Sequence, residues 1–137
     1  MTHWLGPVPA VLVTDDTQAI RDVIARVFTA DGYVVETASD GAEALGRLGS
    51  RLFDLYLVDF AMPLMNGQEL AAVIRRYHPS AKVLYITGYS DRLFAQTTLL
   101  KETEAFLEKP FTPQDLREAV SLVLFGHLRG LGATERA

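Results

Sequence analysis

Short apolar segments alternate with amphipathic segments along this 137-residue chain. Continuous apolar runs are typical of strands buried on both faces, and such strands occur mostly in parallel sheets. Between these runs, apolar residues recur at helical spacing. The alternation predicts an α/β fold in which right-handed crossover helices cover both faces of a five-stranded parallel sheet. The predicted strands are Ala10–Thr14, Tyr33–Thr37, Asp54–Asp59, Lys82–Thr87 and Ala105–Glu108.

Capping signals mark the beginnings of several predicted helices. Asp40 and Asn66 are each followed three residues later by a glutamate, which is the spacing of a capping box. Thr112, with Pro113 at the first helical position, begins the last helix. Ser90–Leu100 is also predicted as a helix, although its apolar spacing is loose. The apolar stripes of the first and third helices are Ile20, Val23, Ile24, Val27 and Phe28, and Leu70, Val73, Ile74 and Tyr77.

Composition excludes several classes of protein. The absence of cysteine excludes a disulfide framework, a thiolate zinc site and a cysteine nucleophile. No apolar run approaches the ~20 residues of a membrane helix, and the first nine residues lack a secretory pattern. A net charge of −4 without a basic run argues against direct nucleic-acid binding. We therefore expect a cytoplasmic domain at 10–126, between an N-terminal extension (1–9) and a C-terminal tail (127–137), without membrane insertion.

One tryptophan and three histidines lie outside this pattern. Trp4 belongs to the N-terminal extension, and the sequence leaves open whether it packs on the sheet edge or mediates contacts between copies. His3, His78 and His127 are scattered along the chain, and we interpret them as structural or surface residues.

Polar residues follow the predicted strands at their carboxyl ends. Asp15 and Asp16 follow the first strand, Asp59 and Thr87 close the third and fourth, and Lys109 follows the fifth. Each has a plain structural explanation when taken alone, such as a helix cap or a solvated charge. Ligand sites in open parallel sheets lie off the carboxyl ends of the strands, so the five side chains should converge. Three converging carboxylates call for a cation, and an all-oxygen set favours Mg²⁺. A hydroxyl and a lysine opposite them suit a phosphoryl group.

Four segments carry a resemblance to a known family. They are the acid pair Asp15–Asp16, VDFAMPLMNG around Asp59, ITG around Thr87 and EKPF around Lys109. In this order they resemble the CheY-like receiver domain of two-component response regulators, and the resemblance runs from Val11 to Phe125. It implies a doubly wound, flavodoxin-like three-layer sandwich with strand order 2-1-3-4-5. The chain is then either a stand-alone regulator or the receiver module of a hybrid histidine kinase.

The resemblance also implies a phosphorylation-dependent signalling switch. Asp59 would accept a phosphoryl group from a histidine kinase or a histidine phosphotransfer protein, with no other enzymatic activity. Asp16 and Asp59 would bind Mg²⁺ directly, Asp15 would assist through water, and the backbone carbonyl of Ala61 would complete the protein ligands.

Further residues would report the phosphorylation. Thr87 and Lys109 would contact the phosphoryl group, and Phe106 would turn when Thr87 moves. The face made by the fourth helix, fifth strand and fifth helix would transmit the change to a downstream protein. No effector domain follows the last helix, so we expect output through protein contacts.

The resemblance further implies a cis Lys109-Pro110 bond. Thr103-Glu104 stands where the family commonly has Gly-Ala, so we expect a different turn there.

Three alternatives remain open at this point. An aspartate-nucleophile phosphatase of the haloacid dehalogenase type uses a similar residue set, but its D-x-D pattern differs from the adjacent Asp15 and Asp16. A flavodoxin-like binding module could share the sheet, but no loop rich in Ser, Thr and Gly follows the first strand. The third alternative is a receiver-like module that binds proteins without being phosphorylated.

Overall fold

A computed structural model describes residues 8–88 and 104–126. Five parallel strands form one sheet in the order β2-β1-β3-β4-β5, which confirms the predicted α/β fold and the implied strand order. The strands are β1 Ala10–Thr14, β2 Val34–Ala38, β3 Leu55–Asp59, β4 Val83–Thr87 and β5 Glu104–Glu108. The helices are α1 Gln18–Ala30, α2 Gly41–Leu48, α3 Gly67–Tyr77 and α4 Pro113–Phe125. The predicted helix Ser90–Leu100, residues 1–7 and the tail from 127 lie outside the described residues.

Two apolar cores lie on the two faces of the sheet. Every residue of β1, β3 and β4 is buried, because successive side chains enter opposite cores. One core joins the sheet to α1 and α4 through residues such as Val11 and Leu57, and the other joins it to α2 and α3 through residues such as Leu12 and Tyr56. The sheet is therefore doubly wound. Within the described ranges, no helix is long and apolar enough to cross a membrane.

The strand boundaries differ from the prediction by one residue at several ends. Tyr33, which was predicted to begin β2, lies outside that strand. Its N–H instead donates to the carbonyl of Phe28 at 3.0 Å, and the two rings lie 5.4 Å apart between centroids. Gly32, with a φ of 90°, makes the turn that holds Tyr33 against the end of α1. Tyr33 therefore covers the helix rather than extending the ladder.

Two members of the predicted apolar stripes face solvent. Val23 is 44% exposed and Tyr77 is 67% exposed, whereas Ile24, Val27 and Phe28 are buried. Adjacent helical residues point about 100° apart, so a stripe that includes both Val23 and Ile24 is wider than the contact with the sheet. The predicted stripes were wrong at these two positions.

The three predicted capping residues all cap their helices, and one of the three caps lacks the reciprocal hydrogen bond of a capping box. Asn66 and Glu69 make a reciprocal capping box at α3, and Thr112 and Asp115 make another at α4. At α2 the Asp40 side chain accepts the N–H of Glu43 at 2.8 Å, but the Glu43 carboxylate accepts the backbone and hydroxyl protons of Ser39 instead. The α2 signal thus locates the helix correctly while its second hydrogen bond goes to the preceding residue.

We expect Thr112→Ala to lower the free energy of unfolding by about 1 kcal/mol. The Thr112 hydroxyl oxygen accepts the N–H of Asp115 at 3.0 Å, and the substitution leaves that N–H without its cap. Urea denaturation measures the change, and Thr112→Ser, which keeps the hydroxyl, is the matched control. Equal losses in the two variants would contradict the assignment of the effect to the cap.

Candidate functional site

Three carboxylates meet at the carboxyl ends of the two adjacent strands β1 and β3. Asp15 and Asp16 directly follow β1, and Asp59 is the last residue of β3. One oxygen from each residue lies within 4.8 Å of the other two. Asp15 and Asp59 are buried, with 1% and 4% of their surface exposed, whereas Asp16 is exposed. The cluster is therefore buried on the side of Asp15 and Asp59 and open to solvent on the side of Asp16.

The loop after β1 holds one carboxylate oxygen of Asp15, whereas the other carboxylate oxygen has no hydrogen bond within the described residues. The N–H of Thr17 donates to Asp15 Oδ1 at 2.8 Å, and Arg21 Nη1 donates to the Asp15 carbonyl oxygen at 2.6 Å. Asp15 Oδ2 is buried and accepts no hydrogen bond from the described residues. Its nearest cation is Lys109 Nζ, at 3.3 Å. A buried carboxylate oxygen left in this state needs further positive charge nearby.

Asp59 is held in a similarly unfavourable electrostatic position. Its Oδ1 accepts the N–H of Ala61 at 3.2 Å, and its Oδ2 lies 4.0 Å from Lys109 Nζ. Burial, followed by the charge of Asp15 and a hydrogen bond with Asp16, raises the pKa of Asp59 to about 7, against the opposing influence of Lys109 and the Ala61 N–H. A cation among the three carboxylates would offset the repulsion between the Asp15 and Asp59 charges and stabilise the ionised form of Asp59.

Lys109 reaches the cluster from the end of β5. Its N–H donates to the carbonyl oxygen of Thr87 at 2.7 Å, which continues the β4–β5 pairing past the end of the strand. The Lys109-Pro110 peptide bond is cis, as the resemblance implies. Thr87 closes β4 and is 3% exposed. The strand ends thus bring Lys109 to the carboxylates and Thr87 to the same edge of the sheet.

Phe106 lies on the side of β5 that faces the core shared with α2 and α3. It pairs in register with Tyr85, and its ring centroid is 5.3 Å from that of Tyr85 and 5.5 Å from that of Phe60. Phe106 is only partly buried, whereas its two ring partners are buried. The ring therefore packs at the margin of the core.

Glu104 has a role that the sequence pattern did not reveal. It begins β5, and its carboxylate forms an ion pair with Arg75 of α3 and accepts a hydrogen bond from the Tyr85 hydroxyl at 3.3 Å. Burial, with the nearby Glu104 charge, raises the pKa of Tyr85. The structure thus uses Glu104, at one of the positions where the sequence departs from the family, to tie β5 to β4 and α3. Thr103 lies outside the described residues.

Gly67 is a second residue that the site analysis of the sequence missed. A Cβ atom at this position would lie 2.5 Å from the carbonyl oxygen of Asp59 and 2.9 Å from Cα of Phe60. The Gly67 N–H donates to the Phe60 carbonyl at 3.0 Å. Gly67 therefore lets the start of α3 pack directly on the backbone of the acidic cluster. The signal in the sequence was a glycine placed immediately after an N-cap asparagine.

His78 has a structural contact in the described part of the chain. Its Nδ1 lies 3.0 Å from the Tyr56 hydroxyl, which also accepts the N–H of Phe53 at 3.0 Å. Its ring packs edge-on against Tyr56. This agrees with the interpretation of His78 as a structural residue, while His3 and His127 lie outside the described residues.

The donor set of the acidic cluster fits Mg²⁺. It contains only carboxylate oxygens, one of them buried and without a hydrogen bond from the part of the chain that the structure describes, and Mg²⁺ prefers a few carboxylates completed by water and phosphate oxygens. Lys109 lies beside the carboxylates and, among the described residues, is the basic side chain that forms ion pairs with both buried acids. Such an arrangement of cation site and lysine is suited to holding a phosphoryl group.

Comparison with known proteins decides the family. The family model described as the response regulator receiver domain matches residues 11–121. The chain belongs to this family. It is a receiver domain of two-component signalling. Receiver domains act as phosphoacceptor switches and bind Mg²⁺ at a cluster of acidic residues.

Curated relatives and solved structures agree with this assignment. The receiver domain is 33% identical over 117 residues to sensor kinase CckA of Brucella abortus, covering 83% of this chain and 12% of CckA. It is 37% identical over 113 residues to the DNA-binding transcriptional regulator NtrC of Escherichia coli, covering 82% of this chain and 24% of NtrC. The chain thus spans a quarter or less of these relatives.

A solved structure bears directly on the acidic cluster. The response regulator protein TrrA of Thermotoga maritima, in complex with Mg²⁺ and BeF, is 31% identical to this chain. The two superpose with a TM-score of 0.74, over 85% of this chain and 100% of that one.

Proposed function

We propose that this receiver domain accepts a phosphoryl group on Asp59 from a phosphohistidine of a sensor histidine kinase or a histidine phosphotransfer protein. The observation that carries the proposal is the convergence of two buried carboxylates, Asp15 and Asp59, with Lys109 between them. An Asp59 carboxylate oxygen attacks the phosphorus in line with the departing nitrogen. The O–P bond forms as the P–N bond breaks, which leaves an acyl phosphate on Asp59 and returns the electron pair to the imidazole.

The surrounding residues prepare Asp59 for this attack. Asp15, Asp16 and Asp59, with the backbone carbonyl of Ala61, would hold Mg²⁺, which neutralises the negative charge that gathers during phosphoryl transfer. The N–H of Ala61 keeps Asp59 Oδ1 in place. Lys109 Nζ lies close enough to both buried carboxylates to turn towards a phosphoryl oxygen without leaving the site.

Phosphorylation then shifts the domain between two conformations. Thr87 donates its hydroxyl proton to a phosphoryl oxygen, and Phe106 moves from the margin of the core into the space that Thr87 leaves. A shift from 1:99 to 99:1 needs ~5.5 kcal/mol, and hydrogen bonds to charged groups contribute roughly 1.5–3 kcal/mol each. Contacts from Thr87, Lys109 and a backbone amide are therefore enough. The strand β5 and the last helix, α4, belong to the face that presents the change, and the predicted helix Ser90–Leu100, the third part of that face, lies outside the described residues.

The partners follow from the same chemistry. A phosphohistidine protein supplies the phosphoryl group, and relatives such as CckA and the autoinducer sensor kinase/phosphatase CqsS of Vibrio cholerae are sensor kinases. A downstream protein recognises the switched face. A net charge of −4 makes this domain itself a poor binder of nucleic acid. We place this exchange in the cytoplasm.

We expect the wild-type chain to gain one phosphoryl group when incubated with a small phosphodonor and Mg²⁺, and Asp59→Asn to gain none. The amide of asparagine cannot act as the nucleophile, although its size and position match those of the carboxyl group. Intact-protein mass spectrometry measures the gain, and mild base should remove it, as expected for an acyl phosphate. Asp22→Asn, which removes an exposed acid from α1, is the matched control and should be phosphorylated like the wild type.

Two further measurements complete this test. Chelation of Mg²⁺ should abolish phosphorylation of the wild type, because the three carboxylates then repel the incoming phosphoryl oxygens. Equal labelling of Asp59→Asn and wild type would contradict Asp59 as the acceptor. Sustained turnover of a generic phosphomonoester would instead favour an aspartate-nucleophile phosphatase.

A further inference from the structure

An arginine of α1 reaches back across the loop that carries two of the three acids. Arg21 follows Gln18, the first residue of α1, in the chain. Its Nη1 atom donates a hydrogen bond to the carbonyl oxygen of Asp15 at 2.6 Å, across a separation of six residues. This side chain therefore joins the helix to the end of β1 and closes the loop at 15–17 into a ring.

The beginning of α1 differs from that of the other helices. The helices α2, α3 and α4 each begin at a residue whose side chain accepts an N–H of the first turn. Within residues 8–88 and 104–126, the side chain of Thr17, the N-cap of α1, makes no such hydrogen bond. A side-chain cap ordinarily holds the first turn of a helix against the chain that precedes it. At α1 the hydrogen bond from Arg21 makes that connection.

The hydrogen bond also fixes the peptide group between the two neighbouring acids. Because a peptide group is planar, a bond that holds the Asp15 carbonyl oxygen also holds the backbone N and Cα atoms of Asp16. Asp15 is buried and its Oδ1 accepts the N–H of Thr17 at 2.8 Å, whereas Asp16 is exposed. Freedom in this loop would therefore chiefly displace the Asp16 carboxylate. Since Mg²⁺ requires near-ideal octahedral geometry, such a displacement would weaken its binding.

The charge of Arg21 acts in the opposite direction. A guanidinium group stays positively charged in proteins, and two positive charges repel each other. Arg21 Nη1 lies 2.6 Å from the backbone of an acid in the cation-binding cluster, so its charge opposes the binding of a cation there. The position of the side chain and its charge thus predict opposite effects of replacing it.

We propose that Arg21 is a positioning residue for the Mg²⁺ site, and that its hydrogen bond to Asp15 outweighs the repulsion by its charge. The inference rests on the proposed function for the acidic cluster as the metal site, but it does not require that Asp59 be phosphorylated. Loss of a group that orients a metal ligand typically lowers metal affinity roughly 10- to 100-fold. Because Arg21 acts on the backbone of the ligands, we expect a change of about tenfold, at the lower end of that range.

A Mg²⁺ titration of the full-length chain, followed by amide NMR spectra, tests the proposal. The N–H groups of Thr17 and Ala61 donate to carboxylate oxygens of the cluster, so their signals report the bound cation. Arg21→Met keeps the aliphatic stem and removes both the charge and the donor. We expect its Mg²⁺ dissociation constant to be about tenfold higher than that of the wild type. Arg21→Lys keeps a charge and a donor, and its dissociation constant should lie between the two.

Arg26→Met is the matched control, because it removes an exposed positive charge from the same helix. It should bind Mg²⁺ as tightly as the wild type or slightly more tightly. The spectra without Mg²⁺ verify that the variants fold, and Arg21→Gln, which also removes the charge, replaces Arg21→Met if that variant does not.

Three results would overturn the proposal while leaving the Mg²⁺ site intact. Tighter binding by Arg21→Met than by the wild type would show that the charge of Arg21 dominates. Equal binding by these two proteins would show that the hydrogen bond does not position the ligands. Binding by Arg21→Lys that is no tighter than that by Arg21→Met would show that a retained donor has no effect. Absence of Mg²⁺-dependent shifts in the wild type would instead refute the metal site, and with it both the proposed function and the role of Arg21.

Discussion

In the absence of divalent cations, Asp59→Asn is expected to be more stable than the wild type, by a margin that grows about 2–3 kcal/mol from pH 5 to pH 8. The pKa of Asp59 is raised from 3.8 to about 7, chiefly by burial and the Asp15 charge. Between these values the folded state holds a proton that the unfolded state has lost. Raising the pH therefore removes stability from the wild type until the folded-state pKa is passed. Asparagine carries no charge and escapes this loss.

Urea denaturation in the presence of a chelator, at several pH values, measures the margin. Asp22→Asn, which neutralises an exposed acid, controls for the change in net charge and should follow the wild type across the same range. A margin that stays constant from pH 5 to pH 8 would contradict the raised pKa as its cause.

Adding Mg²⁺ should reverse the order of stability. A ligand that binds only the folded state stabilises it in proportion to the logarithm of its concentration over the dissociation constant. The wild type offers three carboxylates to the cation, whereas Asp59→Asn offers two and retains an amide. The reversal distinguishes a cation site from a cluster whose repulsion is merely tolerated, because the latter predicts the same order with and without Mg²⁺.

The second large effect concerns the backbone beneath the site. Gly67→Ala is expected to lower the free energy of unfolding by about 2–3 kcal/mol, as overpacking in a rigid environment does. The new Cβ would lie 2.5 Å from the carbonyl oxygen of Asp59, and backbone atoms cannot move aside as the end of a flexible side chain can. Relief requires a shift of α3 or of Asp59 itself, so phosphorylation should slow as well.

Gly46→Ala is the control for this substitution. Gly46 lies inside α2, and a Cβ atom there would meet none of the described residues within 4 Å. Alanine at that position should stabilise the domain by about 0.5–1 kcal/mol, because it restricts the unfolded chain and favours the helix. Thermal unfolding of the two variants therefore should give shifts of opposite sign. A neutral Gly67→Ala would contradict the close packing of α3 on Asp59.

Most of the fold could be predicted because it depends on local patterns. Apolar runs located all five strands to within a residue at each end, and capping residues such as Asn66 and Thr112 located helix starts. The prediction was wrong where contacts between elements, rather than local spacing, decide the environment of a residue. Tyr33 packs on Phe28 rather than joining the ladder, and Val23 faces solvent although its spacing fits the stripe.

The site could be predicted as a set of residues but not as an electrostatic arrangement. Strand ends in a parallel sheet meet at one edge, so Asp15, Asp59 and Lys109 were expected together. Lys109 Nζ lies 3.3 Å from Asp15 Oδ2 but 4.0 Å from Asp59 Oδ2. These distances depend on how β5 pairs with β4 and how the chain turns after β5. No sequence spacing encodes that difference.

The sequence by itself determined the α/β pattern, the acids and lysine at the strand ends and, through them, the family. Only the tertiary structure decided that Glu104 ties β5 to Arg75, that Gly67 lies against the Asp59 backbone and that one Asp15 oxygen is buried without a hydrogen bond from residues 8–88 or 104–126. The reason is that strand and helix propensities act between neighbours in the chain. Burial, ion pairing and close backbone contact depend on distances between residues that are far apart in sequence and meet only when the sheet is assembled.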